Sequence, residues 1–275
     1  MKSFAFDTSD GGRLTVNREF APLLLANGLT TFNAVMNFSG GQVAKNLLRE
    51  RTTTRLDLAD AAGQMRTFFL KRHQRPPLTE FLKPFLRLQR PILGARNEWN
   101  AILRFHQAGI ATMIPVALGE GPGRSFLLTA GIEGCCKLTD WMATRAAVLH
   151  DGELRTLRQI IAGVADVART MHHAGLHHQD FYLTHLMVPQ GESSPRPIHV
   201  LDLGRVRWQR RLSRRWIVKD LAQLHYSAPR VTDSDRLRFL TRYFGRPIED
   251  ADRPLIGRVL RKSRAIARHS QKNDL

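Results

Sequence analysis

Cysteine is nearly absent: the 275 residues hold two, and they are neighbours, Cys135 and Cys136. Adjacent cysteines are poorly placed to bridge one another, so no disulfide framework holds this chain, and two reduced thiols are expected in a cytosolic setting. Long apolar runs are missing too. The early stretch at residues 20–26 is interrupted by Pro22 and is far too short to span a bilayer. The first ten residues carry Asp7 and Asp10 and no signal-peptide core. Internal repeats and low-complexity tracts are lacking, which excludes solenoids and fibrous arrays. Acidic residues are scarce, 24 Asp and Glu against 42 Lys and Arg, a formal net charge of +18. A charge of that sign favours an anionic partner: a phosphorylated substrate, an acidic membrane surface, an acidic protein or nucleic acid.

The hydrophobic fraction of 43% is ample for a core, and the length suits one large domain or two lobes. Residues 13–20 alternate weakly, as a strand does. Residues 43–48, 52–58 and 65–71 read as three further strands, with a turn at 59–64 around Asp60 and Gly63. Residues 80–88 read as a short amphipathic basic helix with Phe81, Leu82, Phe85 and Leu86 as its apolar side. Residues 95–107 read as a helix closed by Gly109, and 116–119 with 125–129 as a strand pair. The strongest helix lies at 153–173, where Leu154, Leu157, Ile160, Ile161, Val164, Ala168 and Met171 recur at helical spacing before Gly175. Short strands are expected at 186–188 and 198–201, followed by helices to the C-terminus. A strand-rich first part and a helix-rich second part predict an α+β fold of two unequal lobes, 1–130 and 131–275.

Four chemistry-bearing features follow in a fixed order. Lys71 ends a strand, Glu98 lies on the next substantial helix, His178 and Asp180 sit in the loop after the long helix, and Asp202-Leu203-Gly204 ends a later strand. His185, five residues past Asp180, is of metal-ligand type. That order suits phosphoryl transfer: a lysine neutralises phosphates, a glutamate holds the lysine, one aspartate accepts the hydroxyl proton and a second holds Mg²⁺. Each feature alone is weak, since a strand-end lysine is usually solvated and a lone histidine usually braces backbone.

The segments Phe68-Phe69-Leu70-Lys71-Arg72-His73, Gly94-Ala95-Arg96-Asn97-Glu98-Trp99, His178-Gln179-Asp180-Phe181-Tyr182-Leu183-Thr184-His185 and Lys219-Asp220-Leu221-Ala222-Gln223-Leu224 resemble the bacterial lipopolysaccharide core heptose kinases of the WaaP/InaA type. The resemblance runs over about residues 42–244. It implies a two-lobed protein-kinase-like fold with a strand-rich N-lobe and a helical C-lobe. It also implies ATP- and Mg²⁺-dependent phosphorylation of a heptose in the lipopolysaccharide inner core. The implied site comprises Asp180 and His178 as catalytic residues, Lys71, Glu98, Thr52 and Arg51 at the nucleotide, and Asp202 and His185 at the metal. Asp220 is expected to brace the catalytic loop.

The chain departs from the family in places. The loop arginine is replaced by Gln179, Phe181 and Thr184 stand where cysteines are usual, and the phosphate-covering turn Arg49-Glu50-Arg51-Thr52 has no glycine. Two alternatives therefore stand beside the heptose kinase: a kinase of the same fold acting on Kdo or another small molecule, and an inactive kinase fold that binds an acidic partner. The expected partners are the inner-core glycolipid, the anionic inner-membrane surface and an acidic protein such as an acyl carrier protein. Residues 203–219 carry seven basic residues and no acid; each basic residue near an anionic surface contributes roughly 1 kcal/mol. No nucleic-acid motif is present. The expected location is cytoplasmic, peripheral at the inner membrane.

Overall fold

The computed structural model describes residues 3–48, 51–60, 62–74, 94–144, 151–190 and 197–272. The chain divides into two compact units, Met1–Gln107 with Met113–Glu133, and Ala108–Thr112 with Gly134–Leu275.

The first unit is built on an antiparallel sheet. Its strands are β1 (Phe6–Ser9), β2 (Leu14–Asn17), β3 (Gln42–Leu48), β4 (Arg51–Ala59), β5 (Met65–Gln74), β6 (Pro115–Gly121) and β7 (Arg124–Ala130). They lie in the order β1-β2-β6-β7-β5-β4-β3. Alternation of side chains along β4 and β5 buries Leu56, Leu58, Phe68 and Leu70 on one face. There they pack with Phe20, Leu23 and Leu24 around α1 (Ala21–Ala26) and with Phe32, Val35 and Met36 of α2 (Phe32–Met36). The turn into β5 forms because the Asp60 carboxylate accepts from the Ala62 and Gln64 amides, both at 2.9 Å. Helix α3 (Arg96–Gln107) buries Trp99, Ile102 and Phe105.

The second unit is mostly helical: α4 (Leu138–Ala143), α5 (Asp151–His173), α6 (Arg214–Tyr226), α7 (Asp233–Phe244) and α8 (Arg253–Lys272). Helix α5 packs on α7, and α6 on α8. The apolar stripe seen in the sequence is the buried face of α5, including Ile160, Val164, Ala168 and Met171. A small sheet joins β8 (Cys135–Lys137), β10 (Leu186–Pro189) and β11 (His199–Val200), and a two-stranded ribbon pairs β9 (Leu176–His177) with β12 (Arg207–Trp208). Gly175 is required between α5 and β9. Its φ is +73°, and a Cβ there would lie 2.0 Å from the Gln209 carbonyl oxygen.

The α+β expectation holds, with the seven-stranded sheet in the first unit and the longer helices mostly in the second. Several details differ. Residues 13–20 are a strand only over Leu14–Asn17; the Asn17 side chain then accepts from the Glu19 amide, and Pro22 opens α1. Asp202-Leu203-Gly204 does not end a strand: Asp202 is left-handed (φ +55°) and opens a 3-10 turn over Leu203–Arg205. Cys135 and Cys136 stand on β8 as thiols. The expected helix at 80–88, and Arg49 and Glu50 of the expected phosphate turn, lie outside the described residues. No described helix is long and apolar enough to cross a membrane.

Candidate active site

In the first unit, Lys71 projects from β5 and its Nζ lies 2.6 Å from Oε1 of Glu98 on α3. The pairing is asymmetric: the Glu98 side chain is 4% exposed and that of Lys71 26%. A carboxylate so buried keeps its charge only beside a cation, so Glu98 fixes the ammonium at one spot while leaving it reachable from solvent. The β4–β5 register sets Thr53 opposite Lys71 and Arg51 opposite His73. Directly opposed residues point to the same side, so Arg51 shares the face of Lys71. Thr52 does not. It opposes Arg72 and points with Thr54 and Leu70 to the core side, so its hydroxyl is not gathered with the lysine as the sequence led us to expect; period-two alternation decides this.

In the second unit, α5, the Gly175 turn and β9 deliver the loop that begins at His178. The loop is held by α6. The Asp220 carboxylate, wholly buried, accepts the backbone N–H of His178 at 2.8 Å and of Gln179 at 2.9 Å. Burial pushes Asp220 up, but the nearby His172 imidazole, with His172 Nε2 3.4 Å from the carboxylate, and the His178 amide more than offset it. The carboxyl is held below its usual 3.8. One turn further along α6, Gln223 accepts from the Phe181 amide at 3.0 Å and donates to the Gln179 carbonyl at 2.7 Å. These bonds stabilise the left-handed Gln179, φ +71°.

His178 is fully buried. Its Nε2 bonds the Leu201 carbonyl at 2.9 Å and its Nδ1 accepts from the Asp180 amide at 3.3 Å. Burial lowers its pKa. A neutral ring with both nitrogens engaged by backbone positions the loop; its geometry does not offer it to a substrate. Asp180, by contrast, has a carboxylate 23% exposed. The His185 ring takes its orientation from Asp180, donating from Nδ1 to the Asp180 carbonyl at 2.7 Å. Its Nε2 points the other way and lies 3.6 Å from Oδ2 of Asp202. The left-handed backbone at Asp202 is what turns its carboxylate to that ring. Among the described residues no cage of three or more His, Cys, Asp or Glu exists. A carboxylate oxygen and an imidazole nitrogen side by side nonetheless suit a divalent cation that completes its shell with phosphate and water oxygens.

Three residues escaped the sequence reading. Gln223 was seen only as part of a matching segment. Arg205, counted with the basic segment, places Nη1 3.0 Å from Oδ2 of Asp180. Lys219, lying over the Trp216 ring, has its pKa lowered by burial and faces the Asp180 charge. No sequence signal distinguishes these cations from the solvated arginines around them.

The sequence pattern of the lipopolysaccharide kinase (Kdo/WaaP) family matches residues 40–243. The lipopolysaccharide core heptose(I) kinase WaaP of Escherichia coli is 34% identical over 236 residues, covering 82% of this chain and 86% of the relative. That of Pseudomonas aeruginosa is 34% identical over 253 residues, 86% of this chain and 88% of the relative. The solved structure of WaaP in complex with acyl carrier protein superposes with a TM-score of 0.71 at 32% identity, over 92% of this chain and 98% of that one. On this similarity, which spans nearly the whole of the chain and of its relatives, the protein belongs to the lipopolysaccharide kinase (Kdo/WaaP) family.

Proposed function

We propose that this protein is an ATP-dependent kinase that phosphorylates a heptose hydroxyl of the lipopolysaccharide inner core. The observation that carries this reading is the pairing of Lys71 with Glu98 at 2.6 Å, in a chain aligned along its length with heptose(I) kinases. Lys71 neutralises α- and β-phosphate oxygens, with Arg51 on the same face. Asp180 orients the acceptor hydroxyl and takes its proton; His178, Asp220 and Gln223 hold the loop so that this carboxylate is fixed in advance of binding. Asp202 and His185 would hold Mg²⁺, which supplies charge neutralisation at the phosphates when bound.

The setting of this chemistry belongs to the same proposal. Arg210, Arg211, Arg214 and Arg215 are exposed, and Trp208 beside them is 50% exposed. Pairing of β12 with β9 puts this basic, aromatic stretch next to the loop of Asp180. An anionic lipid surface suits such a stretch, and this supports our reading of a cytoplasmic enzyme, peripheral at the inner membrane beside its glycolipid acceptor. An acyl carrier protein is the second partner. The similarity to WaaP solved with that protein supports it, as does an apolar cavity of about 320 Å³ in the second unit, lined by Met142, Ile160, Leu224, Phe239, Leu240 and Val259. Its chemistry is that of an acyl-chain site.

Incubation of the purified chain with γ-labelled ATP, Mg²⁺ and dephosphorylated lipopolysaccharide tests the reading. Label on an inner-core heptose is expected. Label on Kdo alone, or none at all, would overturn the assignment in favour of another acceptor or an inactive binder.

A further inference from the structure

The contact of Arg205 with Asp180 has little to do with stability. Nη1 straddles the carboxylate, 3.0 Å from Oδ2 and 3.3 Å from Oδ1, but the Arg205 side chain is 59% exposed. Ion pairs of that exposure contribute little to folding. The backbone beneath it is another matter. Leu203 and Gly204 are buried, the Val206 amide closes the 3-10 turn on the Leu203 carbonyl, and Gln179 Nε2 donates to the Arg205 carbonyl at 2.7 Å. The arginine's anchor is therefore fixed to the catalytic loop by Gln179, which stands where the family's loop arginine would be. The guanidinium itself uses one nitrogen on Asp180, and no acceptor among the described residues holds Nε and Nη2.

An acceptor hydroxyl that donates to Asp180 sits about 2.7 Å from a carboxylate oxygen, so its oxygen falls within about 6 Å of Arg205 Nη1. That oxygen is the atom to which phosphorus becomes bonded. A planar fork of N–H donors at this distance stands where negative charge gathers on the non-bridging oxygens during transfer.

We propose that Arg205 is a catalytic residue: its guanidinium leaves the Asp180 carboxylate as the acceptor hydroxyl takes its place, and hydrogen-bonds the oxygens of the transferring phosphoryl group. In the step, the acceptor O–H gives its proton to Asp180 and its oxygen forms a bond to the γ-phosphorus. The bond from that phosphorus to the bridging oxygen breaks, and its electron pair leaves on ADP. Arg205 stays protonated throughout. The inference rests on the reading of Asp180 as the base of an ATP-dependent kinase.

The test compares wild type with Arg205→Ala, Arg205→Lys and Asp180→Asn in the full chain. Arg205→Ala should lower kcat about 10²–10³-fold, with KM for ATP and for acceptor within about threefold and the thermal midpoint unchanged; Arg205→Lys should recover part of the loss. Binding gives an independent readout. With Mg²⁺, wild type should hold ADP plus aluminium fluoride, a mimic of the transferring group, more tightly than ADP alone. Arg205→Ala should lose that gain while keeping its ADP affinity. A kcat equal to or above wild type, a loss confined to KM, or an unchanged aluminium fluoride affinity would overturn the proposal. Normal transfer by Asp180→Asn would overturn the base assignment and this inference with it. An inactive Asp180→Asn beside a normal Arg205→Ala would sink this inference alone.

Discussion

Replacing Asp220 by asparagine changes one atom's chemistry in the brace of the catalytic loop. The carboxylate is wholly buried and accepts two backbone N–H groups, from His178 at 2.8 Å and Gln179 at 2.9 Å. An asparagine in the same place keeps one acceptor oxygen, and its NH₂ meets the other N–H donor to donor. One charge-assisted bond is lost, about 1.5–3 kcal/mol, and one buried N–H is left unpaired, about 1–3 kcal/mol. Together that is about 2.5–6 kcal/mol, against a typical total of about 5–15. The folded carboxyl lies below 3.8, so its contribution is complete above the unfolded value and is lost as pH falls through the folded one. Urea unfolding followed by tryptophan fluorescence at pH 7 should therefore show the full deficit, narrowing in strong acid. Transfer should fall as well, because Asp180 is no longer held, while ATP affinity persists in the folded fraction. A deficit below about 1 kcal/mol with normal turnover would refute this account of the loop.

Lys71→Ala should abolish most transfer and cost between about 1 and 3 kcal/mol, because it strands a buried Glu98 beside a vacated partner; wild-type rates would dismiss the strand's role. Reversing charge at Arg210, Arg211, Arg214 and Arg215 should weaken association with anionic vesicles, as should added salt, since screening acts over about 8 Å at physiological strength. Unchanged vesicle binding would show that the charge serves another partner. Burial holds His73 and His177 near a pKa of about 4, well below 6.5. The unfolded chain thus takes up protons first, and stability should decline as pH drops from 6.5 towards 4. His177→Phe, which keeps the stacking on Trp216 at 4.3 Å, should reduce that decline; an identical acid profile would count against it.

Much of this architecture is written in local pattern. The α5 stripe, the Asp60 turn and the strand around Lys71 depend on residues close in sequence, and periodicity reports them directly. The order of Lys71, Glu98, Asp180 and Asp202 is likewise a matter of sequence. What escaped depends on contacts distant along the chain. Arg205 reaches Asp180 across 25 positions, and Gln223 reaches the loop from 42 positions away. The face of Thr52 is set by a register that only the paired β5 strand fixes. The left-handed turns at Gln179 and Asp202 fall on residues other than glycine, so composition gives no sign of them. His178 was expected among the catalytic residues; its burial became visible only once Leu201 was seen against the ring.

The proposed proton transfer from an inner-core heptose hydroxyl to Asp180 stands or falls with Asp180→Asn. The variant keeps size and hydrogen bonding but cannot accept the proton. Its transfer of labelled γ-phosphate from ATP to dephosphorylated lipopolysaccharide should fall about 10²–10⁴-fold, with ATP affinity held within about twofold of wild type. Nearly full transfer at unchanged ATP affinity would contradict the account.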